Sequence, residues 1–480
     1  MCLLRKEAFA HYVEQFNSLY AEEIVNAIPD GECWDWMLAN VPFFECSDGD
    51  MERIYYFRWW IYRKHIKRTP DGFVVTEFLP EVGHGGKHNT INCPVGHHLY
   101  EGRWINAPEY LDDYCRFMLR GGGNLHADGC WFADAIYPRH FVHPNRALLV
   151  DLLEDLQKYY LKWEERGRGG LFHYTPWMDG MEFSVSGNKE ELFRPTFNSY
   201  MYADALAIAK IAELAGNKDV AATYREKASA VKTMIQDGLW NGELEFFATL
   251  DLDGNFTPVG NPVREAVGYV PWYFALPDPG YESAWRHIND PEGFSTPVGL
   301  TTAEIRHPLF LKINPERMAS WDGGVWPFAT SQTLTAMQIL LREYNQPHVT
   351  AADYIRELHK YAASHLRDGK PSICEVIRDP YVPQMCGSEH YNHSTYCDLV
   401  ITGAAGLIPR EDNTLEIAPL FPDEWDYFCL DGVRYHDRSI TIAWDRTGAR
   451  YGIQGLQVCV DGELRHSASD LSRVTLPLAG

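Results

Sequence analysis

The chain has no C-x-x-C pair, and its 11 cysteines are an odd number at scattered spacings. This argues against a disulfide framework and fits a reduced compartment. No run of 18 apolar residues occurs, so no membrane-spanning helix is expected. The opening residues, MCLLRKEAFAHYVEQF, lack the apolar stretch of a secretory leader, and the expected location is cytoplasmic. Bases are scarce, 43 against 66 acids, for a net charge of -23. That leaves no basic face for nucleic acid and no attraction to an anionic membrane. There is no phosphate-binding loop and no G-x-S-x-G elbow, and GHGGKH follows no strand as a dinucleotide fingerprint would. His84, His88, Cys93, His97 and His98, with His390, His393 and Cys397 far downstream, miss the spacings of structural zinc sites. They read as hydrogen-bonding groups of a polar cleft, and no metal or cofactor is expected.

Aromatic residues are abundant. There are 15 Trp, 27 Tyr and 23 Phe, and 45% of the 480 residues are hydrophobic. A chain of this length carries two or three domains, or one large domain with an appendage. Its rings can fill a core or serve as platforms for sugar rings.

Helical periodicity dominates to about residue 408. Amphipathic segments run over 7–26, 51–66, 146–164, 198–214, 219–236, 329–344 and 350–366, with weaker ones over 108–119, 263–276 and 393–407. About a dozen helices result. Long loops rich in Gly, His, Trp and acids separate them, among them EVGHGGKHNTINCPVGHH, GGGNLHADGCWFADAIYPRH, YTPWMDGMEFSVSG and SWDGGVWPF. Long loops inside a compact domain are usually functional, and their recurrence suits helical hairpins in a ring with the loops at one mouth. After Pro409, TLEIAPL, YFCLDGVRYH, SITIAWD and LQVCVDGEL alternate apolar and polar residues between Asp-Gly and Arg-Thr-Gly turns. A small antiparallel β domain over 409–480 is expected to follow a helical domain over 1–408.

Two acids stand out. Glu182 lies in a loop beside Trp177 and Met178, leading into the most buried-looking helix, and Glu375 lies in PSICEVIRDP. Glycoside hydrolysis needs two carboxyl groups flanking the scissile bond, one protonated and one ionised, and aromatic surface raises an acid's pKa. In SWDGGVWP, Trp321 and Trp326 are placed to line a pocket or to pack in the core, and Asp322 to accept sugar hydroxyls.

Several elements occur together in a fixed order. They are a loop ending in G-M-E, a helix opening N-S-Y-x-Y-x-D-A-L-A-I-A, W-x-G-x-V-W-P, and a late C-E-V-I. This order resembles the (α/α)6-barrel glycosidases of glycoside hydrolase family 63, the trehalases and the mannosylglycerate hydrolase-like domains, over roughly residues 50–408. The resemblance implies a mainly α fold, an (α/α)6 toroidal barrel followed by a small β domain. It implies an exo-acting, inverting glycosidase without cofactor, acting on α-linked glucosides or related oligosaccharides, with its acid and base roughly 6.5–9.5 Å apart. Glu182 falls where the family carries Asp in S-G-x-D, so it is the implied acid and Asp179 the alternative. Glu375 matches the base, with Glu389 in GSEHYNHS second. Asp322 replaces the Arg of W-R-G-P-x-W. Arg194 and Asn198 are expected to bind hydroxyls, Trp177 to form a wall, and His84, Lys87 and His88 to close the pocket. The expected partner is an oligosaccharide or glycoside, and self-association stays open. Rival chemistries on the same barrel are a sugar epimerase or polysaccharide lyase with His84, His88 or His390 as base, and a β-L-arabinofuranosidase-like activity.

Overall fold

The computed structural model describes residues 3–382, 385–386 and 389–478. In chain order its α-helices are α1 (Ala10–Leu19), α2 (Cys33–Asn40), α3 (Gly49–His65), α4 (Val95–Gly102), α5 (Glu109–Arg116) and α6 (Phe132–His140). They continue as α7 (Arg146–Glu164), α8 (Pro195–Leu214), α9 (Lys218–Met234), α10 (Val270–Tyr273), α11 (Pro327–Glu343) and α12 (Ala351–Ala363). Leu399–Ala404 adds a last segment wound as π-turns. Helices α4, α6, α8, α10 and α11 and this last segment are almost wholly buried and neighbour one another in a ring. Helices α3, α5, α7, α9 and α12, with the 3-10 turn Glu282–Ile288, lie outside them. The protein is an (α/α)6 barrel.

The sequence accounts for most of this. Helix α8 enters through Pro195 at its first turn, where a missing N–H costs nothing, and buries 15 of its 20 residues. Helix α12 starts on a capping box between Thr350 and Asp353. Helix α4 was hidden by glycine. It lies at the end of a His- and Gly-rich stretch read as loop, because Gly96 is there for close approach. A Cβ at that position would meet the Trp131 ring at 2.2 Å. The expected helix over 7–26 is also shorter, with the chain extended from Tyr20 onward.

One buried acid closes the ring. Glu101, on α4 and 1% exposed, accepts hydrogen bonds from the backbone N–H groups of Tyr396, Cys397 and Asp398 at 2.8–3.1 Å, where the last inner segment begins. It lies 3.7 Å from the Arg58 guanidinium on α3. Beside it, Arg103 pairs with Asp398 at 2.8 Å, and the Trp104 indole N–H donates to the same oxygen at 2.7 Å. Burial pushes the Glu101 carboxyl up, while Arg58 and the N–H groups favour its charge.

The C-terminal strands form an antiparallel sheet in the order 43–46, 427–435, 438–445, 455–460, 463–468. Its first strand, Phe43–Cys46, comes from the N-terminal part of the chain and pairs with Phe428 to Asp431. Asp431-Gly432, read as a turn, is a bulge inside a strand, and the reversal falls at His436-Asp437, both at positive φ. Among the described residues no helix is long and apolar enough to cross a membrane.

Glu101→Gln should lower stability by about 3 kcal/mol, because it leaves Arg58 short of a buried counter-charge. The urea midpoint of the variant against wild type measures this.

Candidate active site

A cavity of about 700 Å³ opens at the end of the barrel where the inner helices begin. Its wall comes from the loops preceding α4 (Glu77, His84, Cys93), α6 (Asp128), α8 (Trp177, Gly180, Glu182), α11 (Arg317, Trp321, Trp326) and the last inner segment (Glu375, Tyr391, His393). Phe328, in the first turn of α11, also lines it. Helix N-termini carry partial positive charge, so this end of the barrel can hold acids. Beneath, His97, Trp131 and Tyr200 fill the barrel axis. The cavity is therefore a blind pocket with a floor.

The loop that carries Glu182 is built rigidly. Thr175 caps the 3-10 turn Pro176–Asp179, and Gly180 reverses the chain at φ 66. A Cβ on Gly180 would also meet the Cys93 sulfur at 2.7 Å, so glycine alone fits. Asp179 points away from the cavity into the core. It pairs with Arg194 at 3.0 Å and accepts hydrogen bonds from the Tyr174 and Thr196 hydroxyls. The Arg194 guanidinium also donates to Ser186 Oγ at 3.0 Å. Asn198 is spent on the backbone of Phe172 and Arg194. Phe183, directly after Glu182, sits at φ 57, a strained conformation for a bulky residue. Asn188 holds it by accepting its N–H at 3.0 Å.

Glu182 faces the cavity. Its Oε1 lies 3.1 Å from Arg317 Nη2, and its carbonyl accepts the Trp321 N–H at 3.2 Å. Burial and then the Glu182 charge push Glu375 up to about 7, with Arg317 opposing. Two further carboxyls line the cavity. Asp128 is raised to about 7 by burial and by the charges of Glu182 and Asp179. Glu77 is raised to about 8, by burial first and by the charges of Glu375, Asp128 and Glu182, although it accepts a hydrogen bond from the Tyr391 hydroxyl. Four carboxyls thus face one pocket, with Arg317 the single Lys or Arg among its described lining residues.

Of the residues expected at the site, Glu182, Glu375, Trp177, Trp321, Trp326 and His84 meet at this cavity. Trp321 and Trp326 fill both roles foreseen for them. Their rings stack at 4.4 Å, each 3% exposed, and both border the pocket. Asp179, Arg194 and Asn198 lie behind the wall and support it. Asp322 is fully buried, pairs with Arg378 and accepts the Ile313 N–H at 2.8 Å, so it holds its loop and cannot reach a sugar hydroxyl. Lys87 and His88 both bind Asp71, at 2.6 and 2.7 Å, away from the lining. His390 packs against Tyr20 and Trp60. Glu389 is exposed outside the lining, and the Gly387 and Ser388 before it fall outside the described residues. Burial pushes the Cys93 thiol well up, away from thiolate character. Glu77, Asp128, Arg317 and Tyr391 went unnoticed in the sequence, although Asp128 lies in one of the Gly- and acid-rich loops singled out there.

The family model of the mannosylglycerate hydrolase MGH1-like glycoside hydrolase domain matches residues 87–394, more than half of the chain. That of the glycosyl hydrolase family 65 C-terminal domain matches residues 409–464. A solved structure named sialidase is 42% identical with a TM-score of 0.94, over 98% of this chain and 44% of its own. The GH63 mannosylglycerate hydrolase from Thermus thermophilus, in complex with Tris, has a TM-score of 0.55 at 13% identity, over 72% of this chain and 99% of its own. An uncharacterized protein of Borreliella burgdorferi is 24% identical over 183 residues, 37% of each chain. This chain thus spans less than half the length of the sialidase-named protein, and its match to the Borreliella protein covers just over a third of that chain.

Asp179→Asn should cost roughly 3–5 kcal/mol, because it strands Arg194 in the core. Chemical denaturation checks this, and activity per folded molecule should fall far less than in variants of the cavity carboxylates.

Proposed function

Because the chain belongs to the family of mannosylglycerate hydrolase MGH1-like glycoside hydrolases, we propose that it is an exo-acting, inverting glycosidase of α-linked glucosides or related oligosaccharides. Glu182 and Glu375 are its acid–base pair. The observation that carries this reading is that two carboxyls, from loops 193 residues apart in the sequence, border one blind pocket and feel each other's charge. A floor beneath the pocket favours a terminal sugar over the middle of a chain. A cavity of this size is in the range of small-ligand sites. The Trp177 ring, 45% exposed, suits the C–H surface of a pyranose.

Glu182 delivers the proton to the departing oxygen, and Glu375 draws a proton from the attacking water on the opposite face of the ring. With four carboxyls against one arginine, the pocket favours a neutral sugar over a carboxylated one. Sialosides are therefore expected to be poor substrates, whatever the name of the longer relative says of that protein.

The test is hydrolysis of α-glucosides, α-mannosides and sialosides, with the first-formed anomer followed by proton NMR. Wild type should release an inverted neutral sugar, and Glu182→Gln and Glu375→Gln should each lose on the order of 10²–10⁴-fold in rate. A retained anomer refutes the inverting mechanism. Survival of activity in Glu375→Gln with its loss in Glu389→Gln moves the base to Glu389. The sign of the pH dependence follows from Glu375, which holds its proton below about pH 7 and loses it above. A base must be ionised to draw a proton, so the kcat/KM profile should rise through about pH 7.

A further inference from the structure

A sugar pocket has to bind hydroxyls as well as cut a bond, and the acid–base pair leaves two of the four cavity carboxyls without a task. Resting on the glycosidase reading, we propose that Glu77, aligned by Tyr391, is the residue by which the pocket recognises a hydroxyl of the terminal sugar. Glu77 binds and selects, and Tyr391 is its positioning residue.

The carboxyl is held at one oxygen and free at the other. The Tyr391 hydroxyl donates to Glu77 Oε1, while among the described residues Oε2 has no hydrogen bond and no Lys or Arg pairs with the group. Glu77 is 7% exposed and borders the cavity. A buried polar atom without a partner is costly, and a bound hydroxyl supplies the partner. Asp179 and Asp322, buried acids of neighbouring loops, are each matched by an arginine instead. Asp128 also borders the cavity, but among the described residues its carboxyl has no hydrogen bond to hold it. Glu77 has a rigid frame. The Asn392 N–H donates to the Glu77 carbonyl at 3.0 Å, and the Asn392 side-chain amide donates to the Thr76 carbonyl at 3.2 Å. The His390 carbonyl lies 2.7 Å from His65 Nε2. The Tyr391 ring packs edge-on against Phe78 at 4.6 Å and His393 at 4.1 Å. A group fixed in this way can tell one hydroxyl position from another.

A second unmatched polar group borders the same cavity. Trp321 is 3% exposed, and its indole N–H has no partner among the described residues. Its ring stacks on Trp326, Trp326 meets His393 edge-on at 6.4 Å, and His393 meets Tyr391. The wall thus runs unbroken from a carboxyl at Glu77 to an indole donor at Trp321. A sugar hydroxyl both donates and accepts, and so does a carboxyl that can hold a proton. Glu77 accepts from the hydroxyl when ionised and donates to it when protonated, so the contact does not depend on its charge.

The experiment takes the glycoside that wild type cleaves and its monodeoxy analogues, with one hydroxyl removed at a time. Wild type should lose roughly 10²-fold or more in kcat/KM when one particular hydroxyl is missing. Glu77→Gln should be slower on the parent glycoside and should discriminate against that analogue by about tenfold or less. Tyr391→Phe should shrink the discrimination at the same position and leave it unchanged at the others, which a merely structural role would not do. Discrimination that survives at every position in Glu77→Gln overturns the proposal. So does a loss in Glu77→Gln that is equal for the parent and every analogue. If the variants turn over too slowly, calorimetry of glucose, mannose and their deoxy forms binding to Glu182→Gln, with and without Glu77→Gln, reads the same ratio without turnover. Full activity in Glu182→Gln and Glu375→Gln, with discrimination lost in Glu77→Gln, would remove the acid–base assignment and leave Glu77 in its role. Inactive Glu182→Gln and Glu375→Gln with discrimination kept in Glu77→Gln would do the reverse.

Discussion

The barrel depends on a carboxylate that never sees solvent. A ring of helices has to be closed where its last inner member meets its first, and here the meeting is made by Glu101 receiving three consecutive backbone N–H groups. Those groups begin a helix and have no partners inside it. An acid at that end satisfies them and complements the helix dipole. The cost of burying its charge is offset by Arg58 across the interface. Because the segment between His390 and Asp398 is fastened at its end by this contact, Tyr391 and His393 stand at fixed places in the cavity wall.

The pocket repeats the same physics without the compensation. Inner-helix N-termini converge on it, and acids collect there, yet only one of the four faces a guanidinium. Burial and the neighbouring charges push Glu77, Asp128 and Glu375 up toward neutral pH, where an ordinary surface acid is ionised. Asp179 illustrates the contrast. It is close in sequence to the cavity-facing turn and more deeply buried than Glu182, but it is matched by Arg194 and two hydroxyls, and it serves the scaffold.

How much of this the sequence displays follows from what each feature depends on. Long amphipathic helices such as α7, α8 and α12 are legible because one face of each repeats at helical spacing. Helix α4 is not, since Gly96 and two adjacent histidines look like loop until Trp131 is known to lie against them. Glu182 is legible from the aromatic and glycine residues beside it and from the order of motifs. Glu77 is not, because its importance comes from Tyr391, 314 positions away. Asp322 misleads, for a carboxylate between two tryptophans looks the same whether its partner is a ligand or Arg378. Helical pattern is a local property, whereas the choice between a scaffold acid and a pocket acid is made by residues far off in the chain.

The strand Phe43–Cys46 ties the first fifty residues to a sheet whose other strands begin at Tyr427. During synthesis its partner does not exist until roughly 380 further residues have been added, which at about 5–20 residues per second takes on the order of 20–75 seconds. For that time the nascent chain carries a short apolar strand with an unpaired edge, the kind of surface that invites pairing with other chains. The barrel can form its hairpins one after another as they emerge, but this seam waits for the end of the chain. The seam therefore cannot close before the C-terminal strands are made, and until then Phe43 and Phe44 lack the strand that pairs with them in the finished protein.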